Sequence, residues 1–351
     1  MTSATALRPV SGPAREVYEA LRGWWSRPDG PIVVRTSGST GAAKDVLLSH
    51  AALTAATNAA ANRLDGHGQW LLDLPPDRAG GLMVLVRSVA AGTSPVLTSD
   101  HGSVTAAVAA LSEPHCFTAL VPTQLHRLAM SGELGSLTRF EAVLVGGASL
   151  RPDLLLRCAE EGVRVVRTYG MTETCGGCVY DGHPLDDVGV RLGAEGRIEL
   201  CGPMMFDGYA GDPELTARVL RAGWLRTDDL GRLDGDGRLQ VLGRIDEVVV
   251  SGGVNVSLPA VAAAVRLVPG VADAVVVALD DAEWGSRVVA CVTCQPGAAT
   301  PSLPRVREVC ARTLPRAWAP RSVVRVAAFP LLPGGGKVDR AALAALAADE
   351  R

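Results

Sequence analysis

A strand, a glycine-rich turn, a helix and a second strand follow one another between Phe140 and Gly170, and this order limits the fold more than any other stretch of the chain. FEAVLV and VRVVRTYG are apolar runs of strand length, and RPDLLLRCAEEG is a helix with a proline near its first turn and a glycine near its end. Such a βαβ unit favours a parallel sheet with ligands at the carboxyl ends of the strands. The segments GGASL and YGMTET both fall at those ends.

The rest of the chain extends this pattern and then changes it. Strand-like runs such as PIVVR and CFTALVP alternate with helical runs such as HAALTAATNAAANRL, whereas short strands and turns begin near Gly193 and a compact α+β pattern follows RIDEVVVSGG. We therefore predict an α/β protein with two domains. Residues 1–244 would form a large N-terminal domain of parallel-sheet βαβ units, and residues 245–351 a small, mobile α+β domain.

Composition excludes several classes of protein. The 351 residues are 48% hydrophobic and 20% charged, with a net charge of −3 and a pI near 6.1. This is a globular composition without the strongly basic face that nucleic acid requires. The apolar runs are too short to span a bilayer, and the N-terminal segment lacks a hydrophobic signal core. We expect a cytoplasmic protein with no nucleic-acid or membrane partner.

The eight cysteines are predicted to be free thiols, because nothing in the sequence indicates secretion. Two C-x-x-C pairs, Cys175/Cys178 and Cys291/Cys294, leave a zinc site open as an alternative. The second pair lies on a predicted strand, where residues three apart face opposite sides. Small, half-buried thiols are therefore the favoured interpretation.

Only two lysines occur in the chain, and both lie in glycine-rich stretches, TSGSTGAAK and LLPGGGKVDR. Glycine lets backbone N–H groups approach phosphate oxygens, serine and threonine add hydroxyl donors, and lysine adds a compact charge that arginine cannot reproduce. The first stretch lacks the G-K-[ST] ending of a Walker loop. We interpret it as a phosphate-binding loop of another kind, placed after the strand PIVVR.

Six segments occur in the order found in the adenylate-forming superfamily: TSGSTGAAK, GGASL, YGMTET, GWLRTDDLG, GRIDEVVVSGG and PGGGKVDR. The chain resembles this superfamily, which includes acyl-CoA synthetases, firefly luciferase and the adenylation domains of peptide synthetases. RTYGMTETCGGCVYDG and LVRSVAAG make it most similar to the short actinobacterial o-succinylbenzoate–CoA ligases of menaquinone biosynthesis. The N-terminal region is also shorter than in ordinary members.

The resemblance implies roles for residues in these segments. Those that would bind ATP are Ser37, Gly38, Ser39, Thr40, Gly41, Lys44, Gly146, Gly147, Ala148, Tyr169, Asp229 and Arg244. Thr172 would contact the α-phosphate and Glu173 would hold Mg²⁺, both as catalytic groups. Lys337 would be the catalytic lysine of the small domain.

Further roles concern the acid, the hinge and coenzyme A. Arg87 would anchor the acid, with Arg78, Gly80 and Gly81 nearby; the alternative is that Arg87 pairs with a protein carboxylate. Asp246 would be the hinge between the domains, unless it merely forms a surface salt bridge. The segment Ser251, Gly252 and Gly253 would border the coenzyme A tunnel.

The resemblance thus implies an ATP-dependent acid–CoA ligase that forms an acyl-adenylate and then a CoA thioester, with o-succinylbenzoate as the acid. The sequence departs from the family where Asp77 and Arg78 replace expected histidines, and milder changes occur at Ala43, Asp45 and Asp228. An enzyme for another aryl or keto acid, acting with coenzyme A or a carrier protein, stays open, as do a non-catalytic nucleotide binder and a homodimer.

Overall fold

The structure, a computed structural model, describes residues 7–37, 43–331 and 338–349. The helices in this part of the chain are α1 Ala14–Ser26, α2 His50–Arg63, α3 Ala79–Ala91, α4 Val104–Val108, α5 Pro122–Met130, α6 Pro152–Glu160, α7 Pro213–Val219, α8 Leu258–Val265, α9 Leu303–Cys310 and α10 Arg340–Asp349.

The strands up to residue 201 are β1 Ile32–Ser37, β2 Ala43–Leu48, β3 Gln69–Leu72, β4 Val96–Leu97, β5 Cys116–Leu120, β6 Ala142–Val145, β7 Val165–Met171, β8 Gly176–Tyr180, β9 His183–Pro184, β10 Gly189–Leu192 and β11 Arg197–Cys201. The later strands are β12 Gly208–Tyr209, β13 Leu220–Arg221, β14 Trp224–Leu233, β15 Leu239–Arg244, β16 Val248–Ser251, β17 Val254–Ser257, β18 Val271–Asp281, β19 Gly285–Cys294 and β20 Ser322–Arg325.

The chain divides into two compact units. The first contains the described residues up to Arg191, together with Glu199–Thr227 and Leu233–Leu239. The second contains Leu192–Ile198, Asp228–Arg232 and the described residues from Gln240 onward. Strands β10, β11, β14 and β13 form a sheet in that order, and β15 pairs with β14. The simple boundary at residues 244 and 245 stays a prediction.

A seven-stranded sheet in the order β4-β3-β5-β6-β7-β8-β9 is the centre of the first unit. The strands from β4 to β7 are parallel, and β8 and β9 are added antiparallel. The predicted βαβ unit is confirmed, because β6 and β7 pair in parallel and α6 begins at Pro152 between them. The loops after β5, β6 and β7 therefore lie at one edge of the sheet.

Helices cover both faces of this sheet. Every residue of β3, β5 and β6 is buried, as strands enclosed on two sides must be. Leu125 of α5 and Leu154 of α6 share a core cluster with Val143 and Val145 on one face. Helix α3, buried continuously from Gly81 to Ser88, packs against β3 and β5, and α1 and α2 pack on it. The middle of α3, Arg87 included, is thus held in a solvent-excluded layer.

A small sheet of β1, β2 and β12 carries the first lysine and corrects one expectation. Ser37 and Lys44 were both predicted to lie in the glycine-rich loop, and this was wrong: Ser37 ends β1, and Lys44 lies in β2 opposite Thr36. The antiparallel ladder continues to Ser37 and Ala43, so cross-strand pairing holds the lysine backbone in place. Strand β12 pairs with the other edge of β2.

The second unit contains an α+β fold, as predicted. Strands run in the order β17-β16-β19-β18, with β20 parallel to β19. Val276 and Val288 face a core cluster with α8 and α9, whereas Val275 and Val289 face Leu343 of α10. Alternate residues of the strands thus bury both faces of the sheet. None of the helices in the described residues is long and apolar enough to cross a membrane.

Candidate active site

The turn after β6 lies where two strands approach each other closely. A Cβ atom on Gly146 would overlap Oγ1 of Thr168 on β7, and Gly147 has a φ of +81°. Only glycine satisfies both conditions without strain. The close approach places the turn Gly146-Gly147-Ala148 beside the end of β7, where Tyr169 follows Thr168. The structure therefore brings together four of the residues predicted to bind ATP.

Strand β7 ends in a single helical turn that presents Thr172 and Glu173. The buried hydroxyl of Thr174 accepts a hydrogen bond from the Met171 N–H at 2.9 Å and lies 2.7 Å from the Gly176 carbonyl oxygen, to which it donates. These bonds hold the chain in a tight bend around Thr172 and Glu173. Thr174 was not predicted from the sequence, although a threonine closing the segment TET is a recognisable signal for a side-chain-stabilised turn.

Tyr209 connects two residues with different predicted roles, Lys44 for ATP and Glu173 for Mg²⁺. Its hydroxyl donates to Oε1 of Glu173 at 2.8 Å, and Nζ of Lys44 lies 5.5 Å from the centroid of its ring. The ring face attracts the ammonium group, and the hydroxyl orients the carboxylate. Tyr209 lies 36 residues from Glu173 in sequence, and no local pattern marked it.

Two departures from the family pattern are explained by local ion pairs. Asp45 on β2 lies opposite Arg35 on β1, and the two form a bidentate pair with distances of 2.8 Å. The hydrogen bonds from Arg35 lower the pKa of Asp45 below its ordinary value. Asp228 pairs with Arg197 at 3.1 Å. Both aspartates therefore serve local structure at the surface.

Arg87 is a buried cation without a counter-charge among the described residues. Only 5% of the residue is exposed. Among the described residues, its one hydrogen bond runs from Nη2 to the hydroxyl of Tyr180 at 3.4 Å, and its Nε has no acceptor. The guanidinium carbon lies 5.0 Å from the centroid of the Trp70 ring. The alternative of a protein carboxylate partner is thus not seen in the described part of the chain. A buried, unpaired charge is costly and favours an anionic ligand.

The other predicted acid-site residues lie at the start of α3. Arg78 is exposed and comes no closer than 3.8 Å to its neighbour Asp77, while Gly80 is exposed and Gly81 is buried in the first turn. Arg78 and Arg87 therefore occupy opposite ends of one helix, in water and in the core respectively. Of the two, Arg87 has the environment of a specific anion anchor.

The predicted hinge residue Asp246 and two predicted ATP-binding residues, Asp229 and Arg244, lie in the second unit. Arg244 donates from Nε to Asp246 at 2.9 Å, and this bond raises the pKa of Arg244. The salt bridge considered as an alternative for Asp246 is therefore present, while the hinge role stays a prediction. Asp229 lies half-buried on β14 beside Asp228.

The predicted coenzyme A segment is a tight hairpin turn. Ser251 ends β16 and pairs with Val254 of β17, and both Gly252 and Gly253 have positive φ, at +58° and +76°. A two-residue turn of this kind needs glycine. Gly252 also lies against the Trp284 ring, where a Cβ would overlap. The role of this turn toward coenzyme A stays a prediction.

Some predicted residues lie outside the described part of the chain: Gly38, Ser39, Thr40, Gly41 and Lys337. All eight cysteines are free, and burial raises the pKa of Cys175 and raises that of Cys178 to about 12. Within the described residues, no cluster of three or more His, Cys, Asp or Glu side chains could hold a metal ion. The zinc alternative is therefore not supported there.

Two family profiles match the chain in succession. The AMP-binding enzyme family matches residues 25–209, and the AMP-binding enzyme C-terminal domain matches residues 260–335. The chain therefore belongs to the AMP-binding enzyme family, as the ordered motifs predicted. The two matches follow the order of the large N-terminal and small C-terminal domains that the sequence predicted.

Particular relatives narrow the position of the chain within the family. It is 44% identical over 323 residues to a probable 2-succinylbenzoate–CoA ligase of Mycobacterium tuberculosis, covering 90% of this chain and 84% of the relative. It is 29% identical to the 2-succinylbenzoate–CoA ligase of Enterococcus faecalis over 86% of this chain and 67% of the relative.

Solved structures show the same architecture. The o-succinylbenzoate CoA synthetase of Bacillus subtilis, solved with its acyl-adenylate intermediate, superposes with a TM-score of 0.74 at 26% identity, over 89% of this chain and 68% of that protein. An amide bond synthetase from Marinactinospora thermotolerans gives a TM-score of 0.76 at 27% identity, over 91% of this chain and 69% of that protein.

Proposed function

We propose that this protein is an ATP-dependent acid–CoA ligase whose acid is 2-succinylbenzoate. The observation that carries the choice of acid is the buried guanidinium of Arg87, which has no carboxylate partner among the described residues. A diacid supplies one carboxylate for activation and a second to neutralise this charge. The names of the M. tuberculosis, E. faecalis and B. subtilis relatives support the same acid.

The first half-reaction joins the acid to AMP. An oxygen of the succinyl carboxylate attacks the α-phosphorus of ATP, the bond from that phosphorus to the bridging oxygen breaks, and pyrophosphate leaves. The role of the protein is to position the two anions and to stabilise charge on the phosphate oxygens. Lys44, Thr172 and the loop after β1 would serve the phosphates, and Lys337 the reacting centre. A charge placed in this way is worth about 10²–10³ in rate.

Mg²⁺ fits the residues around Glu173. The carboxylate is a hard oxygen ligand, one of its oxygens is oriented by Tyr209, and the other has no hydrogen bond within the described residues. Glu173 would hold the ion together with phosphate oxygens, as Mg²⁺ sites with few protein ligands do. The ion, when bound, supplies positive charge beside the triphosphate.

The second half-reaction exchanges AMP for coenzyme A. The CoA sulfur attacks the acyl carbonyl carbon, the bond from that carbon to the AMP oxygen breaks, and the thiol proton passes to solvent. The Ser251-Gly252-Gly253 turn would border the pantetheine arm, and rotation near Asp246 would exchange Lys337 for this turn. We also propose the two-domain division at residue 244 on this basis.

The experiment is a panel of acids and acceptors with the whole protein. Pyrophosphate release is measured with ATP, Mg²⁺ and each acid, and products are identified by mass spectrometry with coenzyme A or a phosphopantetheine-loaded carrier protein as acceptor. We expect 2-succinylbenzoyl-CoA as the main product. Pyrophosphate release only with other aryl or keto acids, thioester formation only on the carrier, or no pyrophosphate release with any acid would each refute the proposal.

A further inference from the structure

Three secondary-structure elements of the first unit meet around Arg87. The arginine comes from α3, Trp70 from β3 and Tyr180 from β8. Trp70 is 3% exposed and packs against Phe117 with ring centroids 5.2 Å apart, so its ring is a fixed surface for the guanidinium. A planar cation held against a rigid ring keeps one orientation. Arg87 is therefore preorganised before any ligand arrives.

Tyr180 completes this cluster without neutralising it. The residue is 2% exposed, and its hydroxyl oxygen accepts from Nη2 of Arg87. Burial raises the pKa of Tyr180, while the charges of Arg87 and Arg63 oppose the increase in part. The phenol therefore stays neutral and keeps its proton, for which the described residues offer no acceptor. One weak bond at 3.4 Å leaves both groups with donors to spare.

We infer that Tyr180 is a specificity-determining residue, whose hydroxyl joins the Arg87 guanidinium in binding the ring carboxylate of an aromatic keto diacid. This inference rests on the proposed function and names a second receptor group for its substrate. A carboxylate has two acceptor oxygens: one takes N–H donors of Arg87 and the other the O–H of Tyr180. The anion then satisfies the unused donors and neutralises a charge that the fold has already desolvated.

The arrangement predicts selectivity against acids that lack the second carboxylate. Such an acid leaves Arg87 and the Tyr180 hydroxyl unpaired in a solvent-excluded layer. A site with unpaired buried donors strongly disfavours a substrate that lacks the matching acceptor. The matched substrate is 4-oxo-4-phenylbutanoate, which keeps the ring and the activated keto-acid chain. The pair of acids thus isolates the contribution of one functional group.

The test compares the two acids in the wild type, in Tyr180→Phe and in the control Tyr18→Phe. Tyr18 is also a largely buried tyrosine of the first unit, but its hydroxyl donates to the Thr93 carbonyl oxygen. We expect the wild type to prefer the diacid at least tenfold in kcat/KM. Tyr180→Phe should reduce this preference by roughly tenfold, through KM rather than kcat, with little change for the monoacid. Tyr18→Phe should leave the preference intact.

The outcomes separate this inference from the proposed function. If Tyr180→Phe weakens both acids equally, the tyrosine is structural and the inference is overturned while the diacid ligase stands. If the wild type forms no thioester from the diacid, the proposed function fails first. If Tyr180→Phe does not fold, ultraviolet difference spectra of the wild type decide: a tyrosine signal on binding the diacid and none with the monoacid supports the inference, and its absence overturns it.

Discussion

At the scale of single residues, substitution of Lys337 tests whether a single positive charge is needed for adenylate formation. Replacing it with alanine should slow adenylate formation at least a hundredfold, because a positioned cation at a developing negative charge is worth about 10²–10³ in rate. Thioester formation from supplied acyl-adenylate should be spared, since no pyrophosphate is expelled in that step. Rapid-quench measurement of each half-reaction separates the two, and Lys337→Arg controls for charge without the compact ammonium. Equal losses in both half-reactions would contradict the assigned role.

Tyr209 is the second test at this scale, because one side chain contacts both Lys44 and Glu173. Tyr209→Phe removes the hydrogen bond to the carboxylate and keeps the ring beside the ammonium, whereas Tyr209→Leu removes both. The phenylalanine variant should need about tenfold more Mg²⁺ for half-maximal ATP binding, the usual cost of losing a partner that orients a metal ligand. The leucine variant should also bind ATP more weakly at saturating Mg²⁺.

Calorimetric titration of ATP across a series of Mg²⁺ concentrations, without acid, measures both effects on Tyr209 variants independently of turnover. Identical Mg²⁺ dependence in the wild type and in Tyr209→Phe would show that the hydroxyl does not orient Glu173 for the ion.

At the scale of elements, the turn between β6 and α6 tests how tightly the sheet edge is packed. Gly146→Ala should lower the free energy of unfolding by about 1–3 kcal/mol, because the added methyl group overlaps Thr168 in a close-packed region. The affinity for ATP should also fall, because the added methyl group pushes the turn away from β7 and separates predicted ATP-binding residues. Gly135→Ala is the control, because a Cβ atom at this position would have no neighbouring atom within 4 Å. Denaturant unfolding and ATP titration give the two readouts, and equal stability of both variants would contradict the packing argument.

At the scale of the whole molecule, Asp246 tests whether backbone rotation near the predicted boundary is needed between the half-reactions. Asp246→Pro fixes φ near −65° and removes a backbone donor, so it should impair thioester formation while pyrophosphate release persists. Asp246→Ala removes only the ion pair with Arg244 and should retain most of both activities, because such exposed pairs contribute little. Single-turnover assays separate the steps. If Asp246→Pro forms the thioester as fast as Asp246→Ala, backbone rotation at this residue is not needed.

The sequence by itself determined the class of protein and most of its elements. Apolar periodicity, turn glycines and the order of the six motifs are contained in contiguous residues, so the βαβ unit of β6, α6 and β7, the α+β character of the second unit and the AMP-binding family were all accessible. Local patterns are sufficient for such features because strand and helix periods are properties of neighbouring residues.

Only the tertiary structure decided which side chains meet. Arg87 and Tyr180 are 93 residues apart, and Tyr209 and Glu173 are 36 apart, so their contacts exist only after the sheet and its helices pack. The sequence predicted that Arg87 binds the acid, but it did not show whether a protein carboxylate would pair with the arginine. Lys44 was predicted in a loop because its pairing with β1 depends on residues on the other side of the glycine-rich stretch. The physical reason is that burial, hydrogen bonding and the cost of an unpaired charge depend on neighbours brought from distant parts of the chain.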